Sequence, residues 1–116
     1  MAKTVEQIVS EARAAIDEVD VAQARALHTS GAVFIDVREP AEREQGAIAG
    51  ALAIPRGVLE WKLAGEPKLA DTSQPVVVYC QSGGRSALSA CTLRTMGYSQ
   101  VKSLAGGYSA WDADCD

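Results

Sequence analysis

The stretch from residue 76 to residue 86 restricts the fold of this chain more than any other part of the sequence. It reads Val-Val-Val-Tyr-Cys-Gln-Ser-Gly-Gly-Arg-Ser, so an apolar run leads directly into Cys80. Three β-branched residues and a tyrosine are typical of a buried strand, and a helical pattern follows Arg85. Open α/β sheets place their chemistry at the carboxyl ends of their strands. The stretch therefore predicts a thiol at that edge of a sheet.

Cys80 is a candidate nucleophile because these surroundings favour its thiolate, the reactive form of a cysteine. A helix N-terminus stabilises an anion by about 0.3–1 kcal/mol when exposed and about 2 kcal/mol when partly buried. Each loop amide that donates to the sulfur adds about 1.5–3 kcal/mol, so we expect the loop to matter more than the helix. Gly83 and Gly84 let the backbone approach an anion closely, and Arg85 adds a planar cation suited to oxyanions.

Strands alternate with helices along the rest of the chain. We expect Thr4, together with Gln7, to cap the first helix and Asp20 to cap the second. The pattern predicts strands over 32–37, 51–54, 76–79 and 101–104. It predicts helices over 4–18, 21–29, 40–44 and 86–96, helical turns over 57–63 and a final helical segment after 106–107. Residues 65–74 are expected to form a polar loop. This order predicts an α/β fold, with a parallel sheet and helices on both faces.

Composition and charge exclude several classes of function. The 116 residues suffice for one domain and not two, and the net charge of −4 argues against a nucleic-acid partner. No apolar run could span a membrane, and the N-terminus lacks the apolar core of a signal peptide, so we expect a cytoplasmic protein without a membrane partner. Cys80, Cys91 and Cys115 lack the spacing of a disulfide framework, no CxxC occurs, and His28 is the only histidine. Neither a disulfide scaffold nor a zinc site is expected.

Four segments, taken in order, resemble the rhodanese-like family of single-domain sulfurtransferases over roughly residues 18–112. They are residues 34–39 (FIDVRE), 46–51 (GAIAGA), 79–86 (YCQSGGRS) and 104–111 (LAGGYSAW). The resemblance implies about five strands in a mostly parallel sheet, flanked by helices on both faces. We expect residues 1–17 to form a helical extension packed on a rhodanese-like domain of residues 18–116, the two making a single domain overall.

The resemblance also implies an activity. Cys80 would take a sulfane sulfur from a donor such as thiosulfate and pass it, as a persulfide, to a thiophilic acceptor. Cyanide, a cellular thiol or a protein in a sulfur relay could be that acceptor, and neither a metal nor an organic cofactor is called for. The persulfide would lie against a loop formed by Gln81, Ser82, Gly83, Gly84 and Arg85. Within that loop, Arg85 would position the oxygens of the donor's sulfonate group.

Asp36, Arg38 and Ser86 are predicted to support this site. Asp36 and Arg38 follow a buried strand, and we interpret them as organisers of the loop backbone in preference to substrate contacts. The sequence departs from the family pattern before its Gly-Ala step, where Arg43 and Ala47 stand in place of an aromatic residue and a histidine. We expect this departure to alter packing without removing the chemistry.

Other functions remain open at this point. A regulatory or binding domain could keep the fold without catalysis, with Cys80 as an inert buried thiol. A cysteine phosphatase or arsenate reductase fits less well, because these enzymes place five residues between their Cys and Arg, whereas four separate Cys80 from Arg85. Tyr79 also stands where such phosphatases usually carry a histidine, and no aspartate is placed as a leaving-group acid.

Five further residues receive structural interpretations. Cys91 is interpreted as core filler within its helix, and Cys115 is given no function. His28 is expected at the surface near the end of a helix, where it would interact with the helix dipole. For Arg56 and Trp61, a position facing the site is weighed against a surface arginine and a core tryptophan.

Overall fold

The computed structural model describes residues 2–114 as six α-helices joined to one five-stranded sheet. The strands are β1 (Asp17–Val19), β2 (Val33–Asp36), β3 (Leu52–Ala53), β4 (Val76–Tyr79) and β5 (Val101–Leu104). The helices are α1 (Val5–Ala15), α2 (Val21–Thr29), α3 (Pro40–Arg43), α4 (Leu59–Leu63), α5 (Gly84–Thr95) and α6 (Gly107–Ala113), with short 3-10 helices at Arg56–Val58 and Pro67–Leu69.

The sheet has the order β1-β5-β4-β2-β3, and every neighbouring pair of strands is parallel. β4 lies at its centre, with Val78 in register with Ile35 on one side and Ser103 on the other. Because the strands are parallel, all their carboxyl ends lie at one edge, and the residue after β4 is Cys80. The predicted α/β fold with a five-stranded parallel sheet is confirmed.

Side chains alternate between the two faces of the sheet, and each face has its own apolar cluster. Ile35 and Val78 point to the face covered by α4 and α5, whereas Phe34 and Val77 point to the face covered by α2 and α6. α1 packs beside α5, where the Sγ of Cys91 lies 3.7 Å from a carbonyl oxygen of α1. Helices therefore flank the sheet on both faces, as expected.

The first two helices begin at the caps that the sequence indicates. The hydroxyl of Thr4 accepts from the amide of Gln7, whose side chain accepts from the amide of Thr4. Asp20 and Gln23 form the same reciprocal pair at the start of α2. Each box satisfies amides that would otherwise lack a partner at a helix start. The chain leaves α2 through Gly31, whose φ of +95° favours a residue without Cβ.

β1 is the one strand that the apolar pattern does not indicate. It is three residues long, forms an edge of the sheet by pairing with β5, and contains the exposed residues Asp17 and Glu18. The sequence predicts a helix over 4–18, but α1 ends at Ala15 and Asp17–Val19 form a strand, because they pair with β5. β1 also spans the boundary expected between residues 17 and 18. Within residues 2–114, no helix combines the length and apolar character needed to cross a bilayer.

Candidate active site

Cys80 lies between the end of β4 and the start of α5, at the carboxyl edge of the sheet. Its Sγ accepts hydrogen bonds from the backbone amides of Gly83, at 3.1 Å, and Ser86, at 3.4 Å. Gly83 has a φ of +111°, a left-handed conformation that turns its amide back toward the sulfur. The loop therefore closes around the sulfur, and its amide hydrogens converge on one atom.

A pair of buried hydroxyl groups extends this hydrogen-bond network. The Oγ of Ser86 lies 3.6 Å from the Sγ of Cys80 and 2.8 Å from the Oγ of Ser103 on β5. The hydroxyl of Ser86 donates to the carbonyl oxygen of Gly83 at 3.1 Å, and when Cys80 is ionised the same hydrogen can turn to the sulfur instead. Both serines are fully buried, so water does not compete for these bonds. Sequence reasoning did not select Ser103. The signal that could have found it is a serine within the predicted strand over 101–104.

The environment of Cys80 lowers the pKa of its thiol. Burial acts in the opposite direction and raises that pKa. The hydroxyl and amide of Ser86, with the amides of Gly83 and Ser82, stabilise the anion enough to outweigh burial. The pKa therefore lies below its ordinary value, and the cause is hydrogen bonding to the thiolate. This arrangement favours a nucleophilic sulfur.

The same sulfur is almost closed to solvent. Cys80 exposes 1% of its surface, as in the alternative in which this residue is an inert buried thiol. Ser82, at the tip of the loop, is exposed, and Gly84 and Arg85 are half-buried. A reagent can therefore reach Sγ only if groups at the rim of the loop move.

Arg85 is held in an ion pair with Glu42 on α3. Its Nη1 and Nη2 atoms donate to the two carboxylate oxygens of Glu42 at 2.7 and 2.8 Å. Glu42 also accepts from the backbone amide of Glu39 at 2.9 Å, which fixes the carboxylate at the start of α3. The hydrogen bonds from Arg85 lower the pKa of Glu42 to about 2, so this carboxylate is ionised at neutral pH. Sequence reasoning did not select Glu42.

Asp36 and Arg38 form a buried ion pair that supports the same edge of the sheet. Nη2 of Arg38 lies 2.9 Å from the carboxylate of Asp36, and both side chains are almost fully buried. Arg38 also donates to the side-chain oxygen of Gln81 at 3.1 Å and to the carbonyl of Gly46 at 2.8 Å. Arg43 approaches the same carboxylate at 2.8 Å. The departure from the family pattern at residue 43 therefore places a second cation on Asp36.

Gln81 and Gly84 face elements other than the sulfur. The side chain of Gln81 donates to the Oγ of Ser109 on α6 at 2.8 Å, and a Cβ at Gly84 would meet Val9 of α1 at 3.9 Å. At the base of the loop, a Cβ at Gly107 would lie 2.5 Å from the carbonyl oxygen of residue 80. The structure thus brings atoms of residues 82, 83 and 86 to the sulfur, while the remaining loop residues anchor the loop.

The other residues considered from the sequence occupy structural positions. Cys91 packs against the core, whereas Trp61 is 78% exposed and Arg56 pairs with Glu60 at 3.2 Å. His28 lies beside two aromatic rings and its Nε2 is 2.8 Å from a carbonyl oxygen, so it is more enclosed than expected. Cys115 lies outside the described residues. Within residues 2–114, no three His, Cys, Asp or Glu side chains are grouped as metal ligands.

Comparison with known proteins identifies the family. The family model of the rhodanese-like domain matches residues 20–114. The chain belongs to the rhodanese-like domain family. A sulfurtransferase of Allochromatium vinosum is 38% identical over 96 residues, which cover 83% of this chain and 85% of that protein. The motifs carrying the resemblance are therefore part of a rhodanese-like domain that spans most of the chain.

Two solved structures show how far the likeness extends. The human single-domain sulfurtransferase TSTD1 has a TM-score of 0.78 and 31% identity, covering 85% of this chain and 97% of its own. A Rhodopseudomonas palustris protein, described as of unknown function and a possible tyrosine phosphatase, has a TM-score of 0.89 and 34% identity, covering 97% of this chain and 92% of its own. That coverage includes α1, which precedes the family match.

Proposed function

We propose that this protein is a sulfurtransferase that carries a sulfane sulfur as a persulfide on Cys80. The observation that carries the proposal is the convergence on Sγ of the amides of Gly83 and Ser86, at 3.1 and 3.4 Å, with the hydroxyl of Ser86 3.6 Å away. Such donors stabilise a negative sulfur in its nucleophilic form. The similarity to named sulfurtransferases supports the same activity.

The reaction has two balanced steps when thiosulfate is the donor and cyanide the acceptor. In the first step, the Cys80 thiolate attacks the outer sulfur of thiosulfate. A bond forms between the two sulfurs, the sulfur–sulfur bond of thiosulfate breaks, and sulfite leaves with the electron pair. In the second step, cyanide attacks the outer sulfur of the persulfide, and the Cys80 thiolate leaves as thiocyanate forms. No external oxidant or reductant is required.

The loop would stabilise each anionic state of this cycle. The thiolate and the persulfide each carry one negative charge, and the amides of Gly83 and Ser86 are placed to donate to it. Because Cys80 is 1% exposed, entry of a donor requires the rim of the loop to open. A cellular thiol or a protein in a sulfur relay could take the place of cyanide as the acceptor.

Two observations favour other functions. The burial of Cys80 favours a non-catalytic domain in which the thiol is inert. The Rhodopseudomonas palustris structure favours a phosphatase by analogy, but the loop between Cys80 and Arg85 is one residue shorter than those enzymes use. In addition, Arg85 is already paired with Glu42 and is not free to receive a phosphate.

A transfer assay separates these functions. The wild-type protein and Cys80→Ser are incubated with thiosulfate and cyanide, and thiocyanate is measured. Cys91→Ser is the matched control, because it removes a thiol that packs against the core. We expect thiocyanate from the wild type and the control and none from Cys80→Ser. No turnover by the wild type with thiosulfate or a persulfide donor would overturn the proposal, and Cys80-dependent hydrolysis of a phosphate ester would favour a phosphatase.

A further inference from the structure

The ion pair between Arg85 and Glu42 changes what the loop offers to a donor. Both terminal nitrogens of Arg85 are used by the two oxygens of one carboxylate. The amide of Glu39 holds the same carboxylate in place. An ion pair with two parallel hydrogen bonds is among the stronger side-chain contacts. The positive charge nearest the start of α5 is therefore already matched by a negative one.

The other guanidinium groups that border the loop are matched as well. Arg38 reaches Gln81, but it is buried in its ion pair with Asp36. The Nη2 of Arg13 lies 3.2 Å from the position that a Cβ would take at Gly83. Its Nε lies 3.8 Å from the carboxylate of Glu18. Among the described residues, each arginine placed at the loop thus has a carboxylate within ion-pair distance, with Asp36 shared between Arg38 and Arg43. The groups that donate to the sulfur itself are neutral.

We infer that Glu42 sets the charge of the donor that Cys80 accepts, favouring singly charged donors over the thiosulfate dianion. The inference rests on the proposed sulfur transfer and adds a positioning role for Glu42. A donor must bring its outer sulfur to a thiolate, so each negative charge on the donor is repelled at close range. A free arginine would offset that repulsion, and Glu42 removes this offset by holding Arg85.

Thiosulfate and methanethiosulfonate form a matched pair of donors for testing this role. Each presents an outer sulfur bonded to a sulfonyl sulfur, but thiosulfate carries two negative charges and methanethiosulfonate carries one. With methanethiosulfonate, the thiolate attacks the outer sulfur, the sulfur–sulfur bond breaks, and methanesulfinate leaves with the electron pair. The two reactions yield the same Cys80 persulfide. The donors therefore differ in charge and leaving group, but not in the product that they form on the protein.

The substitution Glu42→Gln removes the charge with little change of shape. The amide oxygen of Gln can still accept from the backbone at the start of α3, which preserves the capping box. We expect kcat/KM for thiosulfate divided by kcat/KM for methanethiosulfonate to rise about tenfold, equivalent to about 1.4 kcal/mol. The rise should shrink at high salt, because exposed charges are screened. Both donors are assayed with cyanide as the acceptor, over a range of donor concentrations.

Two controls separate this role from a structural one. Glu11→Gln removes an exposed carboxylate that pairs with Lys3, so it changes the net charge equally, and we expect the donor ratio to stay at the wild-type value. In Glu42→Gln combined with Arg85→Gln, we expect the rise to disappear. An unchanged ratio in Glu42→Gln, or an equal rise in Glu11→Gln, would overturn the inference while leaving the sulfur transfer intact. A wild-type protein that accepts sulfur from neither donor would overturn the proposed function itself.

Discussion

The hydroxyl of Ser86 provides the sharpest test of how the loop activates its cysteine. Ser86→Ala removes the hydroxyl that lies 3.6 Å from the sulfur but keeps the backbone amide that donates to it at 3.4 Å. The substitution therefore removes the hydrogen bond of this hydroxyl to the thiolate, together with its contacts to the carbonyl oxygen of Gly83 at 3.1 Å and the Oγ of Ser103 at 2.8 Å. We expect the pKa of the Cys80 thiol to rise.

The size of this rise follows from the strength of the lost bond. A hydrogen bond to a charged group contributes about 1.5–3 kcal/mol, and one pKa unit corresponds to about 1.36 kcal/mol. The separation of sulfur and oxygen is long, so the lower limit applies, and the pKa should rise by about one unit. A more basic thiolate is also more nucleophilic, with a Brønsted coefficient of about 0.4–0.5. At low pH the variant should therefore react about threefold more slowly, and above both pKa values about threefold faster.

The assay is the pH dependence of Cys80 modification by a small neutral disulfide such as dithiodipyridine. It is run in a background where Cys91 and Cys115 are replaced by serine, and the ultraviolet absorbance of the thiolate gives the pKa independently. Ser89→Ala is the matched control, because this hydroxyl donates to the carbonyl of Arg85 and not to the sulfur. Superimposable pH profiles for the wild type and Ser86→Ala, or an equal shift in Ser89→Ala, would refute the reasoning.

Three further predictions concern stability, measured by urea unfolding. Gly107→Ala places a Cβ 2.5 Å from a loop carbonyl oxygen at a φ of +59° and should lower the free energy of unfolding by about 3 kcal/mol or more. Gly31→Ala has nothing within 4 Å of its Cβ and should lower it by about 1 kcal/mol. Equal losses of stability in the two variants would contradict this reasoning. Asp36→Asn leaves the buried guanidinium of Arg38 without its carboxylate and should cost about 3–5 kcal/mol. Asp17→Asn breaks an exposed ion pair with Lys102 at 3.2 Å and should cost at most about 1 kcal/mol, so similar values for the two variants would refute the buried-pair reasoning. The pKa of Glu42 falls from 4.5 to about 2 on folding. The stability that the wild type has over Glu42→Gln should therefore be complete above about pH 4.5 and be lost toward pH 2. A difference in stability between the two proteins that persists below pH 2 would contradict its electrostatic origin.

Much of the fold could be predicted because local signals and periodicity agree. The capping boxes at Thr4 and Asp20 mark the starts of α1 and α2, and the β-branched run before Cys80 marks β4. β1 could not be predicted in this way, because Asp17 and Glu18 are exposed at the sheet edge and only pairing with β5 makes them a strand. The family resemblance implied about five strands without placing this one, and the helical periodicity over 4–18 assigned Asp17 and Glu18 to the first helix.

The site could be predicted only as far as local sequence reaches. Cys80, Gly83 and Ser86 lie within one loop and the helix after it, so their meeting follows from the strand-loop-helix pattern. Glu42 and Ser103 come from α3 and β5, and nothing near them in the sequence shows that they reach the loop. The fold brings Glu42 to a residue 43 positions away, and this contact is what neutralises the cation expected to bind the donor.

Intact mass measurement after brief incubation with thiosulfate and removal of excess donor tests the central claim most directly. We expect the wild-type protein to gain the mass of one sulfur atom, Cys80→Ser to gain none, and cyanide to return the loaded protein to its starting mass. A wild-type protein whose mass is unchanged by thiosulfate, by methanethiosulfonate and by a persulfide donor would contradict the claim that the hydrogen-bonded sulfur at the sheet edge is a sulfur carrier.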